Sequence, residues 1–478
     1  MSPVDQGTDA TMSYKLLIDG ALVDGASDIE VVNPATGIAF ANAPRADEQQ
    51  AQTAVAAAKR AFPGWAALGF AQRRGYLDAL AEAIRARIDD FARILTQEQG
   101  KPLKEARQEV LGAIAALAYY APLELEPRIL RDTADERIIE QRYPLGVVAA
   151  ITPWNYPLLL LMVKLAPALI TGNTVIAKPA PTTPLTTLLL GEVAAEILPP
   201  GVFQTLVDQN DLGALLSGHP DIAHVSFTGS TPTGKKVLGG AADTLKRFTL
   251  ELGGNDAAII LDDADVAKVA PRIFSGATTN AGQICLAVKR VYAPYAMMDA
   301  LCTELARLAG EAVVGDGLEQ GTTIGPIQNR AQFEKVLGFI EDARAQGTIV
   351  AGGEALPGDG YFIAPTIVRD LPDDARLVRE EQFGPVLPVL GYDDLDDAIR
   401  RANDSDYGLG GTVWTSNVDR GIAVASRIES GTVWVNKHLE LPFDVPFGGA
   451  KQSGIGRQQG IEGMEDFTQP RIVNVALG

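Results

Sequence analysis

The chain predicts an α/β protein with one doubly wound, parallel-sheet domain and a second α/β domain. One observation is a series of short β-rich runs, VVAAITPW (147–154), NTVIAKPA (173–180), GVFQTLV (201–207) and HVSFTG (224–229), separated by helical stretches. Strands and helices alternating at this spacing build a parallel sheet. A second is a further alternating series that begins near DAAIILDDA (256–264) and continues through VWTS (413–416) and TVWVN (432–436). A length of 478 residues accommodates two or three domains with a large core.

The other elements follow in chain order. KLLIDGALVDG (15–25) holds two alternating runs around Asp19-Gly20, the chemistry of a tight hairpin. From Ala46 to Ala115 an alanine-rich helical pattern predominates, with breaks expected near Pro63 and at Gly100–Pro102. ILRDTADERIIEQRYPLG (129–146) alternates again and suggests two long, partly exposed strands. LLLLMVKLAPALI (158–170) carries Lys164 and Pro167 and is too short to span a bilayer, so it reads as a buried helix.

Composition narrows the function. Hydrophobic residues make up 46% and charged residues 21%, as in an ordinary globular protein. Lys and Arg total 41 against 60 Asp and Glu, a net charge of −19 with no basic block. Nucleic acid and anionic membrane are poor partners for such a surface. Two cysteines, Cys285 and Cys302, cannot form a disulfide framework, so a reduced, cytoplasmic protein is expected. MSPVDQGTDATMSYK lacks the apolar core of a signal peptide. No metal-ligand spacing stands out, and no metal is expected.

Several stretches carry chemistry. In GQICLAVKR (282–290) Cys285 follows a Gly-Gln pair in a segment too mixed for a plain core strand. A nucleophilic cysteine needs an ionised thiol and a partner group. FTGSTPTGKKV (227–237) follows a strand and opens a helix. It suits either a phosphate loop, with Gly229 at the turn, or a plain strand–helix connection. Lys178 ends NTVIAK, where doubly wound folds bind nucleotides, though a solvated lysine fits there too. Glu251 in TLELGGN (249–255) is either a surface carboxylate or a general base approached through Gly253 and Gly254. Asn155 in TPWNYP (152–157) could cap a helix or face an oxyanion. None of His219, His224 and His438 stands in a recognisable Cys–His arrangement, so a base for Cys285 would be a carboxylate.

TPWNYP, AKPAPTTPL, FTGSTPTG, ELGGN, GQICLAVKR, EEQFGPVLPV (380–389) and PFGGAKQSGIG (446–456) occur in that order. Together they resemble the NAD(P)-dependent aldehyde dehydrogenase superfamily, in its non-acylating, hydrolytic branch, from about NPATG (33–37) to the C-terminus. The resemblance implies a Rossmann-type cofactor domain (1–122 and 145–252), an α/β catalytic domain (253–447) and a small β oligomerisation element (123–144 and 463–478). It implies a homodimer or homotetramer acting on a small aldehyde. Cys285 is then the nucleophile, Asn155 the oxyanion donor and Glu251 the base that hydrolyses a thioester. Lys178, Gly229, Ser230, Glu381, Phe383 and Trp154 are expected at the cofactor, and Tyr156, Leu159, Leu441 and Phe447 in the substrate tunnel. Arg290 and Cys302 are expected to be structural.

Two positions depart from the pattern. Pro181 stands where many relatives carry a glutamate that binds the adenosine ribose, and Gln382 precedes Phe383 in place of an apolar residue or threonine. Pro181 neither accepts ribose hydroxyls nor repels a 2′-phosphate, so use of both NAD and NADP is expected. The gap should lie within about two orders of magnitude, roughly 2.7 kcal/mol. A CoA-acylating relative, or a non-catalytic protein on the same scaffold, is the competing reading. The first branch typically lacks the base at Glu251, and the second should have lost Cys285, Asn155 or Glu251.

Overall fold

The structure is a computed structural model and describes residues 13–240 and 242–477. The start of the stretch read for a signal peptide, residues 1–12, therefore lies outside the described residues, as does Gly478. The expected hairpin pairs Leu16–Ile18 with Ala21–Val23, and Ile18 faces Ala21 across the turn. Asp19 and Gly20 both take positive φ, 53° and 80°. That is the two-residue turn whose twist matches its strands.

Two sheets organise the molecule. The first has six strands in the order Gly454–Ile455, Arg247–Glu251, Ile222–Thr228, Val147–Ile151, Thr174–Lys178 and Phe203–Thr205. All are parallel except the short edge strand Gly454–Ile455. The chain runs outward from Val147–Ile151 in both directions, so the order reverses between that strand and Ile222–Thr228. The second sheet has seven strands: Thr348–Ala351, Thr366–Arg369, Val386–Tyr392, Arg290–Pro294, Ala257–Ile260, Gly410–Trp414 and Thr432–Val435. Only Thr348–Ala351 is antiparallel. Both expected strand series are present in these sheets.

The break expected near Pro63 falls three residues beyond it: one helix runs from Glu48 to Ala66 and the next opens at Phe70. Tertiary anchoring outweighs the lost backbone bond there: Trp65 is buried, its Nε1 donates to the Leu169 carbonyl at 3.1 Å, and its ring meets Tyr76 at 5.2 Å. A further interruption, at Arg87, separates Phe70–Ala86 from Ile88–Gln99. The expected break at Gly100 is real, with φ 98° and Pro326 too close to admit a Cβ. Pro157–Ile170 is buried along most of its length, and its fully buried Lys164 donates to Thr228 Oγ1 at 2.8 Å.

Arg128–Asp132, Glu136–Pro144 and the C-terminal Thr468–Ala476 form a separate antiparallel ribbon. The last strand pairs with the middle one over nine residues, from Thr468 opposite Pro144 to Ala476 opposite Glu136. Ile129, Leu130, Ile472 and Val475 are exposed on this ribbon. Among the described residues no helix is long and apolar enough to cross a membrane.

Candidate active site

The first sheet brings its chemistry to one edge. Lys178 is level with Ile151, Ile151 with Phe227, and Thr228 with Glu251. Trp154 and Asn155 lie just beyond one strand end, Gly229 and Ser230 just beyond the next. They flank the point where strand order reverses, the crevice in which open α/β sheets bind ligands. Ser230 shares a hydrogen bond with Thr233 Oγ1 (2.9 Å) at the start of the Thr231–Gly240 helix. Helix ends attract phosphate. Here Pro232 has no N–H and Thr233 N–H donates to Ser230 Oγ at 3.4 Å, so the first two residues of the turn, Ser230 and Thr231, are left to meet one. Trp154 meets Phe383 edge-on at 5.3 Å, and Phe383 holds φ 50°. These groups fit a dinucleotide.

Lys178 is not a solvated strand-end lysine. It is buried, and its Nζ lies 2.6 Å from the equally buried Asp208 carboxylate. The other Asp208 oxygen accepts from the Leu212 N–H at 2.9 Å. Asp208 was not legible as a site residue, because it follows an apolar strand end and nothing local ties it to position 178.

The Cys285 loop precedes the Arg290–Pro294 strand and so stands at the opposite, N-terminal edge of the second sheet. Asn280, Ala281 and Gly282 take φ 52°, 54° and 72° in succession. Alanine rarely adopts this region, so surrounding bonds must hold it. A Cβ on Gly282 would lie 2.4 Å from the Gly384 carbonyl oxygen. The fully buried Gln283 donates to Asn280 O (2.9 Å) and accepts from Gln328 N–H (2.9 Å). Gln283 and Gly282 thus shape the loop that carries Cys285.

Asn155 does not cap a helix; Tyr156 occupies that position. Its Nδ2 donates to the Gln283 carbonyl at 2.9 Å, which leaves its second N–H free of that bond. Its own carbonyl accepts from Lys101 Nζ (2.9 Å) and Asn280 Nδ2 (3.1 Å). Lys101 also pairs with Glu109 at 2.5 Å and lies 3.5 Å from the centre of the Tyr156 ring. These supports of Asn155 come from sequence-distant segments and were missed.

Glu251 is buried, and neither carboxylate oxygen has a hydrogen-bond partner. Burial pushes its pKa up to about 8 against the opposing pull of Lys164 and Arg457, with Asp466 adding to the rise. The surface-carboxylate reading is excluded. Close approach through the glycines is real: a Cβ on Gly253 would meet Glu381 at 2.5 Å, and one on Gly254 the Cys285 carbonyl at 2.5 Å. The Glu381 carboxylate accepts from Gly254 N–H at 3.0 Å.

Cys285 is partly buried in an apolar cluster with Ile284, Leu286, Trp434, Phe447, Tyr156 and Leu441. Burial pushes its thiol up to about 12, opposed by Lys289 and reinforced by Glu381, Glu251 and Asp256. Tyr156, Leu441 and Phe447 therefore gather at the thiol. Leu159 belongs to the helix that begins beside them. It packs over Gly112, because the Glu109 carboxylate accepts from Leu158 N–H (3.0 Å) and Leu159 N–H (3.1 Å) and docks the helix start there. Arg290 is structural, donating to Asn255 O at 2.7 Å and Ala402 O at 3.0 Å. Gln382 gains a physical role: it is buried and its amide donates to Val386 O (2.7 Å) and Lys289 O (3.2 Å). Cys302 is buried in the core of the Tyr295–Glu311 helix.

Comparison with known proteins agrees with this geometry. The model of the aldehyde dehydrogenase family matches residues 22–473. An aldehyde dehydrogenase from Bacillus cereus superposes with a TM-score of 0.95 at 36% identity, over 97% of each chain. A betaine aldehyde dehydrogenase from Staphylococcus aureus, solved in complex with NAD+, superposes with a TM-score of 0.94 at 32% identity, over 98% of this chain and 95% of that one. The chain belongs to the aldehyde dehydrogenase family and is an NAD(P)-dependent enzyme that oxidises an aldehyde.

Proposed function

We propose that Cys285 is the nucleophile of this oxidation and Glu251 its hydrolytic base. The observation that carries the reading is the buried Glu251 carboxyl with both oxygens unpartnered, one glycine pair away from the Cys285 carbonyl. The Cys285 sulfur adds to the aldehyde carbon, and the carbonyl oxygen becomes an oxyanion. The second N–H of Asn155 and the Cys285 backbone N–H receive it, each donor contributing about 3 kcal/mol to the barrier reduction. The bound nicotinamide cofactor supplies the hydride acceptor. Cys285 is then acylated as a thioester, and Glu251 takes a proton from the water that attacks it, releasing acid and thiol. Trp154 and Phe383 would flank the nicotinamide of a bound cofactor, Lys178 and Glu381 would hold its two riboses, and Gly229 and Ser230 would meet its pyrophosphate. The test is a panel of aldehydes with NAD and NADP, with and without CoA. Acid formation without CoA supports the hydrolytic reading, and strict dependence on CoA would replace it with the acylating one.

The tunnel lining of Tyr156, Leu441 and Phe447 favours an uncharged aldehyde. Glu440, the acid best placed to attract a cationic substrate, already pairs with Lys437 at 3.1 Å. Medium-chain or aromatic aldehydes are expected to exceed succinic semialdehyde in kcat/KM, and the reverse ranking contradicts this lining as the recognition surface.

NAD is the better-bound cofactor in this reading. Pro181 still admits a 2′-phosphate, but Asp208 neutralises the ammonium that would attract it. Asp208→Asn is expected to tighten NADP binding about tenfold, roughly 1.4 kcal/mol, with NAD little changed. Isothermal titration of both cofactors checks this, and unchanged NADP affinity in the variant contradicts it.

Residues 1–122 and 145–252 make the cofactor domain, 253–447 the catalytic domain, and 123–144 with 463–478 the oligomerisation element. The exposed Ile129, Leu130, Ile472 and Val475 support pairing of this ribbon between copies, as a homodimer or homotetramer. The two unpaired thiols suit a cytoplasmic setting.

A further inference from the structure

Lys289 lies four residues beyond Cys285 and its side chain is 1% exposed. Its Nζ donates to the carbonyls of Ile284 and Cys285, both at 2.8 Å, and stands 3.6 Å from Glu381 Oε1. Burying an ammonium is costly, and an apolar side chain would pack such a site at less expense. The surroundings give the charge a purpose. The Cys285 thiol faces Glu251 from the end of the first sheet, Asp256 from the start of the second, and Glu381 from the loop before Val386. The Tyr156 hydroxyl also faces it, and His438 bonds the neighbouring Leu286 carbonyl at 2.7 Å. Lys289 is the cation that opposes these acids.

We propose that Lys289 is the positioning residue of the nucleophile. It clamps the Cys285 carbonyl and sets a fixed positive charge beside the thiol, so that sulfur can ionise in an apolar pocket lined by acids. The role rests on Cys285 as nucleophile, and it separates from loop fastening alone. A clamp needs only hydrogen bonds, whereas acidification needs the sign of the charge.

The test is alkylation of Cys285 by iodoacetamide in the full chain, followed by peptide mass spectrometry. The comparison is made at pH 9, where Asp256 and Glu251, with pKa values pushed up to about 7 and about 8, are both ionised. Lys289→Met is expected to slow alkylation at least about threefold, because a higher thiol pKa leaves less thiolate. Lys289→Arg is expected to keep the wild-type rate. Glu381→Gln removes an opposing acid and is expected to raise the rate. Loosening of the loop would expose the thiol and speed alkylation, so the slowing expected in Lys289→Met is the sign that loosening does not produce. Superimposed rates for Lys289→Met and wild type overturn the proposal. If methionine prevents folding, a Glu381→Gln rate no higher than wild type overturns it. Failure of the nucleophile reading looks different: Cys285→Ala would then retain dehydrogenase activity, whatever the alkylation rates.

Discussion

Cys285→Ala is expected to abolish aldehyde oxidation, with kcat falling by at least about 10⁴-fold while NAD binding persists. The thiol sits where the strained Asn280–Gly282 turn delivers it, inside the apolar cluster and beside the Asn155 amide. No neighbouring side chain offers a second nucleophile in that position: Tyr156 is pushed far above its ordinary pKa by burial. Cys302 cannot substitute, because it is buried among Leu301, Leu305 and Met298 with its thiol pushed up to about 11 by burial. Cys302→Ala should leave kcat within about twofold and cost only the stability of a small buried side chain, about 1 kcal/mol. Full activity in Cys285→Ala contradicts the assignment.

Glu251→Gln is expected to lower steady-state turnover by at least about 100-fold while a first-turnover burst of reduced cofactor survives. The glutamine fills the same volume but accepts no proton from water. The pH dependence follows from the same group. A general base works only when ionised, and burial raises the Glu251 pKa to about 8. Wild-type turnover should therefore climb as pH rises through about 8 and fall away below it. That limb should be absent from the residual activity of Glu251→Gln. An unchanged limb in the variant assigns the titration to another group.

The strand series of both sheets was legible because each strand is a short β-rich run bounded by helical sequence. The hairpin at Asp19-Gly20 and the break at Gly100 were legible because each needs a positive φ that its residues supply. The helix runs three residues past Pro63 because Trp65 is anchored by partners 11 and 104 residues away. Within the site, the Cys285, Glu251 and Asn155 motifs could be read from sequence, whereas their buried supports could not. Lys101 and Asp208 carry no local signature, since Lys101 reaches the Asn155 carbonyl and Asp208 reaches Lys178 only when segments distant in sequence close on one another, and Lys289 likewise meets Glu381 from afar.

Glu251→Gln also provides the most direct test of the whole account. The variant is mixed with a medium-chain aldehyde and NAD, quenched within the first turnover, digested and weighed peptide by peptide. An acyl group on the peptide carrying Cys285, absent without NAD, is the result expected from a thioester whose hydrolysis needs Glu251. An acyl group on the Cys302 peptide, or none on either while reduced cofactor accumulates, would contradict it.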